Sequence, residues 1–178
     1  MRVSSRDRTF GGLIVVAGLL FQSLWLGRAA ALLSVVLVIA YAVWITGAWS
    51  LTSLSLPATY RVALVIFPVH AGEEFFTGFP RRFPALVGGR WTDAQFLMFN
   101  AAWFVTFVFA GWGLRRRRPL AALIVLFFAL GGGVGNGMGH LLLVVAQGGY
   151  FPGAWTAPLC LIVGTLLLRQ LFSARSTA

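Results

Sequence analysis

His70, Glu73 and Glu74 fall in the stretch His70-Ala-Gly-Glu73-Glu74, which holds two of the chain's four acidic residues and one of its two histidines. At helical pitch they are spaced i, i+3 and i+4, so one helix face would carry an imidazole and two carboxylates. Those side chains support two chemistries. Neutral imidazole and ionised carboxylate bind a divalent metal such as Zn, Mn or Fe, and three protein ligands leave a position for water or substrate. Two carboxylates close together in low dielectric also resist ionising together, which makes a proton donor and an acceptor without metal.

The second histidine, His140, lies in GGGVGNGMGHLL (residues 131–142), with Asn136 one helical turn before it. His70 and His140 with Glu73 or Glu74 would form a ligand set, and the remaining glutamate would be the general base. Asn136 and Asn100 are candidate supporting polar groups.

The host segment makes this set costly. Residues 61–79 are otherwise apolar, and an ionised side chain at the centre of a membrane helix costs about 2.5 to 3.5 kcal/mol, while each Leu, Ile, Phe or Val returns only about 0.3 to 0.6. The helix must therefore turn its polar face to other helices, a cavity, a metal or protons. The plainer structural alternative is that the glutamates sit near the helix end, snorkelling outward or pairing with Arg81 or Arg82.

Composition sets the surroundings. With 178 residues, 59% hydrophobic, 10% charged and mean hydropathy +0.87, the chain lies outside the soluble range. It reads as one all-α transmembrane domain over residues 1–178, multi-pass in the cell membrane. The net charge of +10 comes from arginines placed in short clusters between apolar runs, so these act as topology signals and lipid contacts, and no nucleic-acid partner is implied. The single cysteine, Cys160, excludes a disulfide framework and reads as a small buried hydrophobe.

Six helices can be placed. Residues 1–9 form a basic arm, and the run Phe10 to Leu26 is read as an uncleaved first helix. Gly27-Arg28 breaks the chain before a second helix from Ala29 to about Trp49, closed by the link Ser50 to Ser55. The third, Ala58 to Gly78, carries the motif, with Pro68 expected to kink it beside His70 and open space for a ligand. Residues 79–93 form a structured loop, and Thr92 or Asp93 caps the fourth helix, Ala94 to Leu114. The fifth runs Pro119 to Ala146. The sixth runs Trp155 to Phe172, before a short tail at 173–178.

Ten arginines fall on one side of this arrangement and four on the other, which places both termini in the cytoplasm. At about 1.5 Å per residue, His70, Asn100, Asn136 and His140 then lie roughly 9 to 15 Å deep from the outer ends of three helices, and Glu74 roughly 6 Å. The third, fourth and fifth helices are expected to pack together, with the glycines of the fifth against a neighbour near Asn136.

With these residues in place, the chain resembles the HXXEE family of small integral membrane proteins, whose motif reads here His70-Ala-Gly-Glu73-Glu74. Asn136-Gly-Met-Gly-His140 matches the further, less regular histidine of that family. The likeness covers roughly residues 60 to 146, with nothing specific added by the first, second and sixth helices. It implies an enzyme without an assigned reaction. A looser analogy, in residue types alone, is to the emopamil-binding class of sterol isomerases.

The leading expectation is a membrane-embedded enzyme on a lipid or isoprenoid-like substrate, with one divalent metal at His70, Glu73, Glu74 and His140. A metal-free acid-base isomerase or cyclase at the same residues is the second reading, and a proton- or metal-ion-coupled carrier the third. Membrane lipids are partners in every case. The oligomeric state stays open, a homo-oligomer included.

Overall fold

The computed structural model describes residues 3–49, 55–173 and 175–176. Most of the expected link Ser50 to Ser55, the first two residues of the arm and part of the tail lie outside the described residues. Apart from a two-residue antiparallel pair, β1 (Ala48–Trp49) with β2 (Arg175–Ser176), the regular structure is helical.

Helix α1 (Ser5–Leu26) starts earlier than Phe10, because Ser4 and Asp7 form a reciprocal capping box that satisfies the first backbone donors. Gly27, at φ 59°, opens a 3-10 turn (Gly27–Ala30) that leads into α2 (Ala31–Ile45). The two helices run antiparallel: Tyr41 donates to the Arg8 carbonyl at 3.0 Å, and near the turn Ser34 donates to Gln22 at 3.1 Å. Helix α2 ends at Ile45 rather than Trp49, where the Thr46 hydroxyl turns back onto the carbonyls of Ala42 and Val43.

Helix α3 (Ser55–Phe76) runs through Pro68 without a break. The chain bends by 77° between Phe76 and Phe79, where Gly78 takes φ 90°, and continues as the short α4 (Phe79–Ala85) inside the predicted loop. Thr92 and Gln95 form the capping box of α5 (Asp93–Arg115). The fifth predicted helix is three pieces in line: α6 (Pro119–Phe127), a π-helical segment (Phe128–Gly135) and α7 (Asn136–Gln147). Helix α8 (Ala157–Ser173) completes six helical runs among the described residues.

Three stretches, Ser5–Ile45, Asp93–Arg115 and Pro119–Gln147, are long and apolar enough to cross a membrane, and the bent pair α3–α4 makes a fourth if counted as one span. Such helices belong to a membrane protein. The first of these stretches doubles back at Gly27, so it supplies the two helices of a hairpin.

Packing differs from expectation in one respect. Helix α3 packs on α5 as foreseen, but its other neighbour is α8, which also carries the π segment and α7. The cause lies in two glycines of the rich stretch. A Cβ on Gly133 would lie 2.5 Å from the Gly164 Cα, and one on Gly137 2.7 Å from the Ala157 carbonyl oxygen, so α8 meets this run backbone to backbone. Gly139 faces open space, and a Cβ on Gly135 would meet only the Leu130 carbonyl of its own π turn. Helix α6, buried from Ala121 to Phe127, fills the core between α5 and α2.

Candidate functional site

Helices α3 and α7 bring His70, Glu74 and His140 into contact. His70 and His140 are each 2% exposed and Glu74 5%. Oε1 of Glu74 lies 3.0 Å from Nε2 of His140 and 3.6 Å from Nε2 of His70. The two imidazoles stand 4.9 Å apart at 83°, and one ligand atom from each of the three residues falls within 4.8 Å of the others.

Glu73 stands outside this trio, although it shares the helix face. Its Oε1 accepts from the Tyr150 hydroxyl at 2.8 Å and the Trp155 amide at 2.9 Å, and its Oε2 accepts from the Thr156 amide at 2.8 Å and the Thr156 hydroxyl at 2.6 Å. These are donors at the start of α8, where the first amides of a helix have no partner within it and a negative charge is favoured. With four donors satisfied, this carboxylate neither joins the ligand atoms nor stands free as a base beside them.

Through Thr156, Glu73 nevertheless acts on the site. The Thr156 hydroxyl has one proton and gives it to Glu73, so it can only accept from Nδ1 of His70, 2.6 Å away. A neutral His70 therefore carries its proton on Nδ1 and turns the bare Nε2 lone pair toward Glu74. That Nε2 has no hydrogen-bond partner. At His140 the neighbours of Nε2 are two acceptors, Glu74 and Oδ1 of Asn136 at 3.1 Å. Nε2 is then the protonated nitrogen, and Nδ1 is left without a partner. Protons are assigned from these networks.

The loop 148–156 covers His140. Gly153, at φ 90°, lies so close to the imidazole that a Cβ would overlap it. Phe79 and Phe151 flank the ring at 5.2 and 6.3 Å. Arg82 stacks over Phe151 at 5.0 Å and donates to the Tyr150 carbonyl, while Arg81 pairs with Asp93 at 3.0 Å. Neither arginine is paired with a glutamate, so the arginine-pairing form of the plainer structural alternative does not describe these carboxylates. Partial burial and, after it, the Glu73 carboxylate push the Tyr150 hydroxyl above the ordinary tyrosine value.

An apolar cavity of about 160 Å³ opens from the trio between α5, α2 and the π segment. Glu74, Asn136 and His140 stand at its polar end, and Leu33, Phe99 and Trp103 are among its apolar walls. Gly131, Gly135 and Gly139 line it too; lacking side chains, they leave room that larger residues would fill. Asn100 lines the same cavity while its amide donates to the Phe96 carbonyl at 3.0 Å, so it serves the wall and not the trio.

A family model described as a protein of unknown function with HXXEE motif matches residues 61–168. The chain belongs to the HXXEE family. In this HXXEE protein the match runs past residue 146 and takes in loop 148–156 and most of α8, the region that carries Thr156 and Cys160. No curated protein and no solved structure matches the chain.

Thr156 and Tyr150 escaped sequence reasoning, and Cys160, buried as expected, was not placed at the site. The Cys160 thiol is buried beside His70, a placement that follows from Thr156 lying one turn earlier on α8. A threonine directly before an apolar helix is a cap signal; here the same residue serves both Glu73 and His70.

The donor set fits a divalent ion once the His140 proton sits on Nδ1, the nitrogen without a partner, so that Nε2 is free to bind. Four-coordinate ligand atoms about 2.0 to 2.1 Å from a metal lie about 3.3 Å from one another, and the two contacts of Glu74, 3.0 and 3.6 Å, bracket that spacing. The Glu73–Thr156–His70 chain fixes the tautomer of His70, as outer hydrogen bonds do for a histidine that holds a metal.

Proposed function

We propose that this HXXEE protein is a multi-pass protein of the cell membrane, with both termini cytoplasmic, and that it is a membrane-embedded enzyme acting on a lipid or isoprenoid-like substrate. His70, Glu74 and His140 hold one divalent metal, Zn, Mn or Fe, and Glu73 positions His70 through Thr156. The observation that carries the reading is the unpartnered Nε2 of His70, its proton held on the far nitrogen, facing a carboxylate that also meets His140. A bound metal would supply a Lewis acid or an activated water at the polar end of an apolar cavity. The cavity's apolar walls support a hydrophobic substrate and exclude bulk water from the reacting end. For orientation, the support is the arginine asymmetry, ten against four.

The test is elemental analysis of full-length protein purified without chelator. One equivalent of transition metal is expected, lost in His70→Ala and in His140→Ala. Absence of stoichiometric metal, with activity on membrane lipid extracts unchanged by EDTA, would move the assignment to the second reading, a metal-free acid-base isomerase or cyclase. That reading draws on the 3.0 Å contact between Glu74 and His140, a complete hydrogen bond without an ion. Reporter fusions placing Arg115 to Arg118 outside the cell would reverse the topology.

A further inference from the structure

The cavity that reaches the trio is separated from the outer face of the helices by a partition one side chain thick. On the outer side, between α3 and α5, runs an open groove of about 340 Å³, and three residues, Phe67, Phe96 and Asn100, line both groove and cavity. Ring contacts show how thin the partition is. Phe67 stacks on Phe104 of the groove at 6.1 Å and meets Phe107 of the cavity edge-on at 5.5 Å. Phe96 is stacked on Phe75 of the groove at 6.2 Å and lies 6.1 Å from Phe79 of the cavity. Asn100, one turn from Phe96 on the same face of α5, stands between them.

The groove faces outward on apolar surface. Pro68, Phe76, Leu97 and Ala101 on its rims are exposed, and α5 is one of the stretches able to cross a membrane. In that setting the medium against the groove is bilayer hydrocarbon. The groove has room for a reason visible in the sequence: Ala71 and Gly72 put almost no side chain there, and a Cβ at Gly72 would meet nothing within 4 Å.

We propose that the α3–α5 groove is the binding site for a hydrocarbon chain entering from the bilayer, which passes Phe67, Phe96 and Asn100 to reach the cavity and Glu74. Rotation of two phenyl rings joins groove to cavity without moving a helix. Each ring has an aromatic neighbour on the groove side and another on the cavity side. Asn100 is the polar member of the partition. The inference rests on the reading that the substrate is apolar, and it adds the side of the molecule from which that substrate arrives.

The experiment is photolabelling of the full-length protein in phosphatidylcholine nanodiscs containing a phosphatidylcholine with a diazirine at the end of one acyl chain, with sites mapped by mass spectrometry. Wild type should be labelled in the groove and also inside, at Trp103 or at residues 135–139. Gly72→Trp should abolish the interior label while keeping surface label elsewhere. Leu97→Trp, on the facing wall, is the second plug, and unchanged melting temperatures establish that both variants fold. Phe67→Ala should raise the interior label. Interior labelling that persists in both plugged variants overturns the lateral route and leaves the hydrophobic-substrate reading standing. No interior label in wild type or in Phe67→Ala, with normal surface label, overturns both.

Discussion

Glu73 and Glu74 are adjacent in the chain and end in opposite surroundings. Around Glu73 lies the start of α8, with two amides and two hydroxyls aimed at one half-buried carboxylate. Around Glu74 lie two imidazoles and an apolar cavity, and the carboxylate is 5% exposed. A carboxylate with every lone pair answered by a fixed donor is a structural tie, stabilised where it stands. One buried against partners that could themselves give up a proton, or share an ion, is poised for chemistry. The difference teaches that an H-x-x-E-E motif names a location, and that the donors around each carboxylate divide the work.

The largest expected effect comes from changing the two glutamates separately. Glu74→Gln should remove stoichiometric metal from the purified protein. Glu73→Gln should keep it with affinity weaker by about 10 to 100-fold, as for loss of an outer partner. Metal titration against a competing chelator measures both. Equal loss in the two variants would erase the distinction.

Next in size is the glycine pair that separates the packing face of α7 from its cavity face. Gly137→Ala forces a Cβ against the Ala157 carbonyl, at the α8 end that Glu73 grips, and should lower stability by about 1 to 3 kcal/mol. Gly139→Ala meets open space and should be neutral or stabilising by up to about 1 kcal/mol, since alanine is the better helix former. Thermal melting in detergent compares them. A Gly139→Ala protein as unstable as Gly137→Ala would show that α7 packs otherwise.

The smallest effect concerns the rim of the Glu73 region. Tyr150 is 40% exposed, so Tyr150→Phe should cost only about 0.5 kcal/mol, the low end for a hydrogen bond. The folded protein holds the Tyr150 proton more tightly than the ordinary value of 10.0. Its contribution is therefore fully present below that pH and is lost as pH rises through the higher folded value. The melting difference between wild type and Tyr150→Phe should stay constant from neutral pH to about 9 and close only above about 10. A gap that closes below that range would mean the hydroxyl is not tied to Glu73.

Much of this was legible beforehand. Apolar runs and arginine clusters marked six helical runs, and the shared face of His70, Glu73 and Glu74 with the distant His140 marked a candidate set that contains the trio. Helical pitch could say that Glu73 shares that face. It could not say that Thr156, 83 residues away, would draw it aside, because that depends on where α8 begins and which of its amides lack partners. The glycines announced close packing, yet only the positions of Gly133 and Gly137 against Gly164 and Ala157 select α8 as the neighbour. The 77° bend at Gly78 had no mark in the sequence beyond the glycine itself, which takes a left-handed conformation at low cost.

The π-helical segment Phe128–Gly135 sets the angular phase of everything that follows it. Each residue of an α-helix advances the chain by about 100°, so a wider turn upstream resets the azimuth of Asn136 and His140 without altering their spacing. Tightening of 128–135 into plain α-helix with no residue lost would leave every site residue present, yet rotate His140 away from Glu74. The motif on α3 thus has a counterpart that no pattern of residue types records: a count of residues, held by wide turns among glycines, that aims the second histidine.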